Sequence, residues 1–439
     1  MTDTDSFAFF VGIDWGSQAH QVCVLNAQGE ILGERQVLHT AAGLEELFGW
    51  LAKLTDGALD GLAIAIEVPR GPLVETLVER GLTVFSLNPK QLDRFRDRYF
   101  PAGAKDDRRD ALVLGSSLRT DRHCFRLVRG EDPQVLRLRD LSRLDEELGR
   151  NFRRYACQFR EQLQRYYPQL LALSPQADEP WVWSLLEAAP DAAKGRRLSE
   201  ARIEKLLRGH RVRRLRAAQI IEQLRAPGFA LAPGTVEAAS ERALLLVPHL
   251  RLLTQQGAEL GKRIAAVLEE LAGEEVAEGE KPQHRDVTIL CSLPGAGRVV
   301  AATMLAEAAQ ALAERDYHAL RPYAGVAPLT RQSGKHRSVQ MRYSCNTRMR
   351  NATYHWARVS MQHDAVSHEH YRRLRARGHS HGRALRGVAD RLLAVLCAML
   401  RSKTLFDPTL RHRSLSVTAS VALPHGAARR KGTHPSPTA

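Results

Sequence analysis

The sequence predicts an α/β domain over residues 1–130, a helical, coiled-coil arm over 131–284 and a mostly α C-terminal domain over 285–408, followed by a basic, disordered tail, 409–439. Three observations predict this division. Short runs rich in Val, Ile and Phe alternate with helical spacings at the front of the chain. Beyond residue 133, two long stretches repeat Leu and aromatic residues every three or four positions. The surplus of positive charge is confined to the last third.

The elements follow in order. "FAFFVGID", residues 7–14, is continuous enough in apolar and β-prone residues for a buried strand. "HQVCVLNAQGEILGERQV" alternates about "NAQG", which predicts a hairpin. Leu44, Leu47, Phe48 and Leu51 have helical spacing over 43–54. "GLAIAIEVP" is a second buried strand, with Glu67 at its end. "LVETLVERG" is a helix stopped by Gly81, and "LTVFSLNP" is a further strand. The order β-β-β-α-β-α-β-α is that of a ribonuclease H-like domain.

In the arm, Leu141, Leu144, Leu148, Phe152, Tyr155, Phe159, Leu163, Tyr166 and Leu170 form one stripe on a helix starting near Pro133. A second helix over 236–272 shows the same spacing through Leu246, Leu250, Leu253, Leu260, Ile264 and Leu268, and Pro248 should kink or break it. The two helices suit an antiparallel pair. Residues 174–235, rich in Arg and Pro, carry no readable pattern, and the chain has no internal repeat. The C-terminal part is helix-like around "CSLPGAGRVVAATMLAEA" and ends in the apolar helix "GVADRLLAVLCAML".

Composition excludes several classes. The 439 residues are 44% hydrophobic, with no run of 18 apolar residues, and the start "MTDTDSF" is acidic and polar. No membrane association and a cytoplasmic location are expected. Six cysteines (Cys23, Cys124, Cys157, Cys291, Cys345 and Cys397) are scattered without a C-x-x-C pair, which argues against a zinc ribbon or a disulfide framework. They are expected to be reduced and mostly buried.

Charge points to a partner. From Arg285 onward there are 25 Lys and Arg against 8 Asp and Glu, whereas residues 1–284 hold 39 and 41. Between Arg321 and Arg358 lie eight basic residues and no acid. Such a block beside a near-neutral remainder is an electrostatic footprint for nucleic acid; a solvated basic face is the alternative.

The acids form a set. Asp14 ends the first strand in "VGIDWGS" and Glu67 ends the fourth in "AIEVPRG". In "AKDDRRDALV", Asp107 and Asp110 are three apart at a helix start, on one face. A charged first turn is the plain reading of that stretch alone. Carboxylates at the ends of central strands are costly to desolvate, and four converging on one spot repel unless a divalent cation joins them. Oxygen donors with open positions suit Mg²⁺ or Mn²⁺, and paired ions can clamp the two oxygens of a phosphodiester exchange. "GIDWGS" is also similar to the first phosphate loop of actin-like sugar kinases. Those need a second Asp-Gly loop after a later strand pair; "TDGALDG" instead precedes a strand.

In the basic third, "LPGAG" opens a helix with a turn at Gly295 and Gly297, next to Arg298. Its backbone N–H groups suit a phosphate, and it resembles the hairpin of helix-hairpin-helix motifs; a tight interhelical turn is the alternative. Further on, Ser333 stands between Gln332 and Gly334, among Arg331, Lys335 and Arg337. Serine beside glycine is commonly a turn residue. Surrounding cations would also suit a nucleophilic hydroxyl and a phosphate oxyanion, with Ser338 and Ser344 as competitors.

Together these segments resemble one family, the DEDD transposases of the insertion-sequence family "IS one-ten", relatives of the Piv-type DNA invertases. The resemblance rests on "VGIDWGSQAHQVCVL", "AIEVPRG", "AKDDRRDA", "LPGAGRVVAATMLAE", "YAGVAPLTRQSGKHR" and "NTRMRNATYHWA". It implies a RuvC-like domain holding Mg²⁺ (or Mn²⁺) through Asp14, Glu67, Asp107 and Asp110. It also implies a C-terminal transposase domain whose serine, matching Ser333, attacks DNA and forms a phosphoserine intermediate, with the acids activating the hydroxyl and stabilising the leaving 3′ oxygen. Donor and target DNA, a structured non-coding bridge RNA and a homodimer or homotetramer are the implied partners. The sequence departs from the family where Asp106 replaces a Thr, which leaves Asp106 as a competitor of Asp107. It departs again at "CNTRMRN". A RuvC-type, structure-selective endonuclease using activated water is the alternative function.

Overall fold

The computed structural model describes residues 7–99, 106–130, 132–232, 234–272, 274–275, 283–334 and 336–408. The basic tail expected over 409–439 lies outside the described residues. The chain divides into two compact units, one ending at Asp132 and one beginning at Pro133.

The first unit is a mixed six-stranded sheet with helices on both faces. Its elements are β1 (Phe9–Asp14), β2 (Ala19–Asn26), β3 (Ile31–Leu38), α1 (Ala41–Leu54), β4 (Leu62–Ile66), α2 (Pro72–Glu79), β5 (Thr83–Ser86), α3 (Pro89–Tyr99), α4 (Asp107–Thr120) and β6 (Arg126–Val128). The order across the sheet is β3-β2-β1-β4-β5-β6. β1 runs antiparallel to β2 and parallel to β4, and β5 continues parallel beside β4. The predicted hairpin, strands and helices are all present. The sequence reading missed α3 and the short edge strand β6.

Strand alternation divides the core in two. Val11, Ile13, Leu62, Ile64 and Ile66 face one way and pack with Leu47, Phe48 and Leu51 of α1 and Leu73 and Leu77 of α2. Phe10, Ala63 and Ala65 face the other way and pack with Leu92 of α3 and Ala111, Leu114 and Leu118 of α4. The second face is lined by small residues, so α4 comes very close. A Cβ on Gly12 would stand 1.8 Å from the carbonyl oxygen of Ala111 and 2.6 Å from the nitrogen of Gly115. No side chain larger than hydrogen fits there.

The second unit is helical apart from short strand pairs. Helix α5 (Pro133–Tyr166) pairs antiparallel with the helix Thr235–Leu271. Arg137 reaches Glu270 at 3.8 Å near one end, and the Tyr155 and His249 rings stack at 5.0 Å near the other. α5 stops at Tyr166, short of the predicted Leu170, because Pro168 starts a separate short helix, Pro168–Leu173. Pro248 does not break its helix: assignment is continuous from Thr235 to Leu271. Leu246, Val247 and Leu250 around it are buried against Phe159, Leu163 and Trp183. That burial outweighs the ~3 kcal/mol that proline costs inside a helix. The unreadable stretch 174–235 contains short helices, Pro180–Ala188, Glu200–Gly209 and Ala217–Arg225 among them, whose apolar residues join the same core.

A second core gathers Leu138, Leu260, Ile264 and Leu268 from the long pair with Leu290, Met304, Trp356, Leu392 and Leu396 from the C-terminal helices. The expectation of mostly buried cysteines is corrected: Cys23 and Cys397 are buried, Cys124 and Cys345 are half-buried, and Cys157 and Cys291 are exposed. The last two sit on helices that bury other faces.

Candidate active-site acids and the serine hairpin

β1 and β4 are in parallel register with Ile13 opposite Ile66, so Asp14 and Glu67 are the next residue on each strand, side by side at one sheet edge. By alternation both share the parity of Gly12, Ala63 and Ala65, the face covered by α4. Both are half-buried. α4 runs antiparallel to β1: Ala111 lies over Gly12, while Gly115, one turn on, lies over Gly12 and Phe10. The start of α4, with Asp107 and Asp110, is therefore directed toward the edge that ends in Asp14.

The three aspartates of α4 differ sharply. Asp106 is the N-cap and accepts from the backbone N–H of Arg109 at 2.8 Å. Asp107 is exposed in the first turn. Asp110 is 3% exposed, and both its oxygens accept from the Arg96 guanidinium of α3, Oδ1 from Nε at 2.5 Å and Oδ2 from Nη2 at 2.7 Å. Arg96 also donates to Asp93 at 2.8 Å. Hydrogen bonding to Asp110 is the largest influence holding the Arg96 guanidinium above its ordinary pKa.

Oxygen-only donors at strand ends fit a hard divalent cation. Asp14 and Glu67 supply such oxygens at strand ends and Asp107 supplies them in the first turn of α4, whereas both Asp110 oxygens accept from Arg96. Among the described residues no three His, Cys, Asp or Glu side chains stand close enough to hold one ion together.

Sequence reasoning assigned no role to Trp15, His20 or His39. Trp15 is 41% exposed, and its ring lies against His20 and His39. The backbone N–H of Gly16 donates to Nδ1 of the fully buried His20, so His20 Nε2 donates to Nδ1 of His39 at 2.9 Å. Burial first, and then His39, pulls the His20 pKa down to about 4. Arg96 was legible in principle, since Leu92, Phe95 and Tyr99 have helical spacing and Asp93 precedes Arg96 by three.

In the second unit, Ser333 ends the strand Leu329–Ser333, which pairs antiparallel with His336–Gln340. Ser333 lies opposite His336, Gln332 opposite Arg337 and Arg331 opposite Ser338. The connection is two residues long, and Gly334 has φ 55°, the left-handed conformation such turns demand. Arg331, Ser333, His336 and Ser338 thus share one face of the ribbon, and Gln332 and Arg337 the other. Ser333, Arg331 and Arg337 are exposed. Lys335 lies outside the described residues.

The glycine turn joins the helices Asp286–Ser292 and Arg298–Glu307. Gly295 has φ 77°, and a Cβ there would meet the Ser360 nitrogen at 2.7 Å. Ser360 Oγ and Trp356 Nε1 donate to the Pro294 carbonyl at 2.5 and 3.0 Å. Gly295 is therefore explained by packing on the helix Thr347–His363. Gly297, the N-cap, and Arg298 are exposed.

Comparison with known proteins adds to this geometry. Residues 11–168 match a family model for DEDD transposases of IS110, described as "Transposase", and residues 287–372 match one described as "Transposase IS116/IS110/IS902 family". A protein of the mini-circle element IS117 of Streptomyces coelicolor is 31% identical over 413 residues, 92% of this chain and 96% of that relative. The chain belongs to the IS110 transposase family. It is an enzyme that acts on DNA. The 43.6 kDa protein of IS110 itself, from the same organism, is 29% identical over 93% of this chain and 97% of its own length. The Sinorhizobium fredii protein y4uE is 47% identical over 216 residues, 49% of this chain, and the match spans 60% of that relative's length. The first family model runs through Asp14, Glu67, Asp107 and Asp110 and on to the end of α5; the second includes Gly295, Ser333 and the ribbon. Among the described residues no helix is long and apolar enough to cross a membrane.

Proposed function

We propose that this IS110-family transposase cuts and rejoins donor and target DNA through a phosphoserine formed on Ser333, with Asp14, Glu67, Asp107 and Asp110 as a Mg²⁺ (or Mn²⁺) site. The observation that carries it is the acidic edge of the first unit: two adjacent strand ends and the start of α4 present carboxylates on one face. The strand order β3-β2-β1-β4-β5 with α4 across β1 supports a RuvC-like, ribonuclease H-like reading of this domain.

A bound cation would stabilise charge developing on the oxygens exchanged at phosphorus. The chain's own residues do the rest. Ser333 Oγ attacks the scissile phosphorus and the departing 3′ oxygen leaves. Arg331, on the same face as Ser333, neutralises the phosphate. Asp106, held as N-cap, is excluded from the acid set. Arg96 holds both oxygens of Asp110, which would have to be released for that carboxylate to hold the cation.

The basic third of the chain supports a bridge RNA as guide, with the protein contacting backbone and shape while base pairing reads sequence. Lys335, Arg337, Gly297 and Arg298 complete the nucleic-acid contacts. Joining two duplexes calls for a dimer or tetramer, with residues 131–284 as the arm, 285–408 as the serine domain and a cytoplasmic, nucleoid-associated location.

The test is a denaturing gel of the purified chain, its co-purifying RNA and a labelled plasmid carrying the element's joined ends. Wild type should yield a covalent protein–DNA band that Ser333→Ala and Asp14→Asn lack and that chelation removes. A Ser333→Ala chain that still cuts at wild-type rate would establish water as nucleophile, the RuvC-type endonuclease reading.

A further inference from the structure

We infer that His336 is a catalytic residue of this transposase: it takes the proton of Ser333 as the hydroxyl attacks DNA, and returns it when the strand is rejoined. The inference rests on the reading of Ser333 as nucleophile and adds a proton acceptor on the serine's own ribbon.

The register carries it. Ser333 and His336 are directly opposed across the ribbon and flank its two-residue turn. Directly opposed residues have Cβ atoms about 4.5–5.5 Å apart and project to one side, which is the reach of a hydroxyl to an imidazole nitrogen. Gly334, held at φ 55°, closes the turn tightly, so the pairing cannot slip without rebuilding the hairpin. Both residues are exposed, on the side where a DNA strand can reach them.

A second observation is the content of that face. Arg331 stands two residues before Ser333 on the same strand and the same side, with Ser338 opposite it. One face of a short ribbon thus presents a hydroxyl nucleophile, an imidazole beside it and a guanidinium along the strand. A phosphoryl-transfer half-site needs those three roles: nucleophile, proton acceptor and phosphate clamp. The opposite face carries Gln332 and Arg337, which provide neither nucleophile nor base.

The step balances. In cleavage the Ser333 Oγ–H proton moves to the neutral His336 ring as the Oγ–P bond forms and the P–O bond to the departing 3′ oxygen breaks. The imidazolium then gives that proton, directly or through a water, to the 3′ oxygen. In rejoining, the incoming 3′ hydroxyl attacks phosphorus, the Oγ–P bond breaks, and the hydroxyl's proton returns to Ser333 by the same route. One phosphodiester replaces another, with no external oxidant or reductant.

The experiment compares wild type, His336→Gln and His336→Ala as full chains with co-purified RNA, on the joined-end plasmid, timing the covalent band from pH 5.5 to 8.5. The wild-type rate should rise with pH. His336→Gln should lose that limb and form the band about 10²-fold more slowly, with plasmid affinity unchanged by anisotropy. Added imidazole should restore part of the rate to His336→Ala only. A His336→Gln rate within threefold of wild type with the limb intact overturns the assignment while leaving Ser333 as nucleophile. No covalent band from wild type overturns both.

Discussion

Arg96 and Asp110 make a buried pair that can be weighed directly. Their side chains are 10% and 4% exposed, with two short parallel hydrogen bonds between them. Replacing Arg96 by Gln leaves a carboxylate desolvated without its cation, at a cost of about 3–5 kcal/mol. The lost bond to Asp93, which is 65% exposed, adds under about 0.5 kcal/mol. At 1.4 kcal/mol per tenfold, about 3 kcal/mol accelerates the opening of α4 by about 10²-fold. Hydrogen exchange of the α4 peptides, read by mass spectrometry in EDTA, measures this without requiring the chain to unfold in one step. Asp110→Asn alone should cost about 2 kcal/mol, and the double variant should cost less than the sum by at least about 1.5 kcal/mol. A coupling within about 0.5 kcal/mol of zero would refute the reasoning. Adding magnesium to Arg96→Gln should return part of the protection, because a bound cation would offset the Asp110 charge, and should return none to the double variant.

Other consequences are as concrete. Gly12→Ala should cost at least about 3 kcal/mol and lower the yield of folded chain, because the added methyl meets the Ala111 carbonyl, a backbone group that cannot turn aside. His20 has a folded pKa of about 4, below its ordinary 6.5. The unfolded chain therefore takes up a proton that the folded chain refuses, and stability falls between pH 6.5 and about 4, by up to about 3 kcal/mol. Urea titrations should show that slope in wild type and a flatter one in His20→Gln. Glu307 accepts from Arg143 at 2.9 Å and from Asn346 at 3.0 Å with its side chain 5% exposed, tying α5 to the C-terminal helices. Glu307→Gln should lower stability by about 2 kcal/mol through the lost charge-assisted bonds, seen as an earlier transition in a calorimetric scan.

Local periodicity carried the reading of the elements. The continuous apolar strands, the alternating hairpin, the stripe of α5 and the stop at Gly81 are properties of adjacent residues, so they are legible in one dimension. Where a reading failed, a competing interaction from far along the chain decided. Pro248 signals a break, yet burial against Phe159 and Trp183 holds the helix together. The ribbon over 329–340 was hidden because polar residues occupy both its faces, leaving no apolar alternation to detect.

The candidate site divides along the same line. The residue types and their order, Asp14, Glu67, then Asp107 and Asp110, with Ser333 in a basic block, were determined by the sequence alone. Chemistry needs particular side chains, and those are written in the chain. Which carboxylate stands open and which is taken was decided only by the tertiary structure. Asp106, Asp107 and Asp110 are near neighbours in sequence, yet one caps a helix, one faces water and one is locked to Arg96, fourteen residues away. The placing of His336 opposite Ser333, with Arg337 turned to the other face, came likewise from strand pairing. A carboxylate's or a hydroxyl's role depends on charge and distance in three dimensions, and those distances are set by packing: here by a glycine under α4 and a two-residue turn.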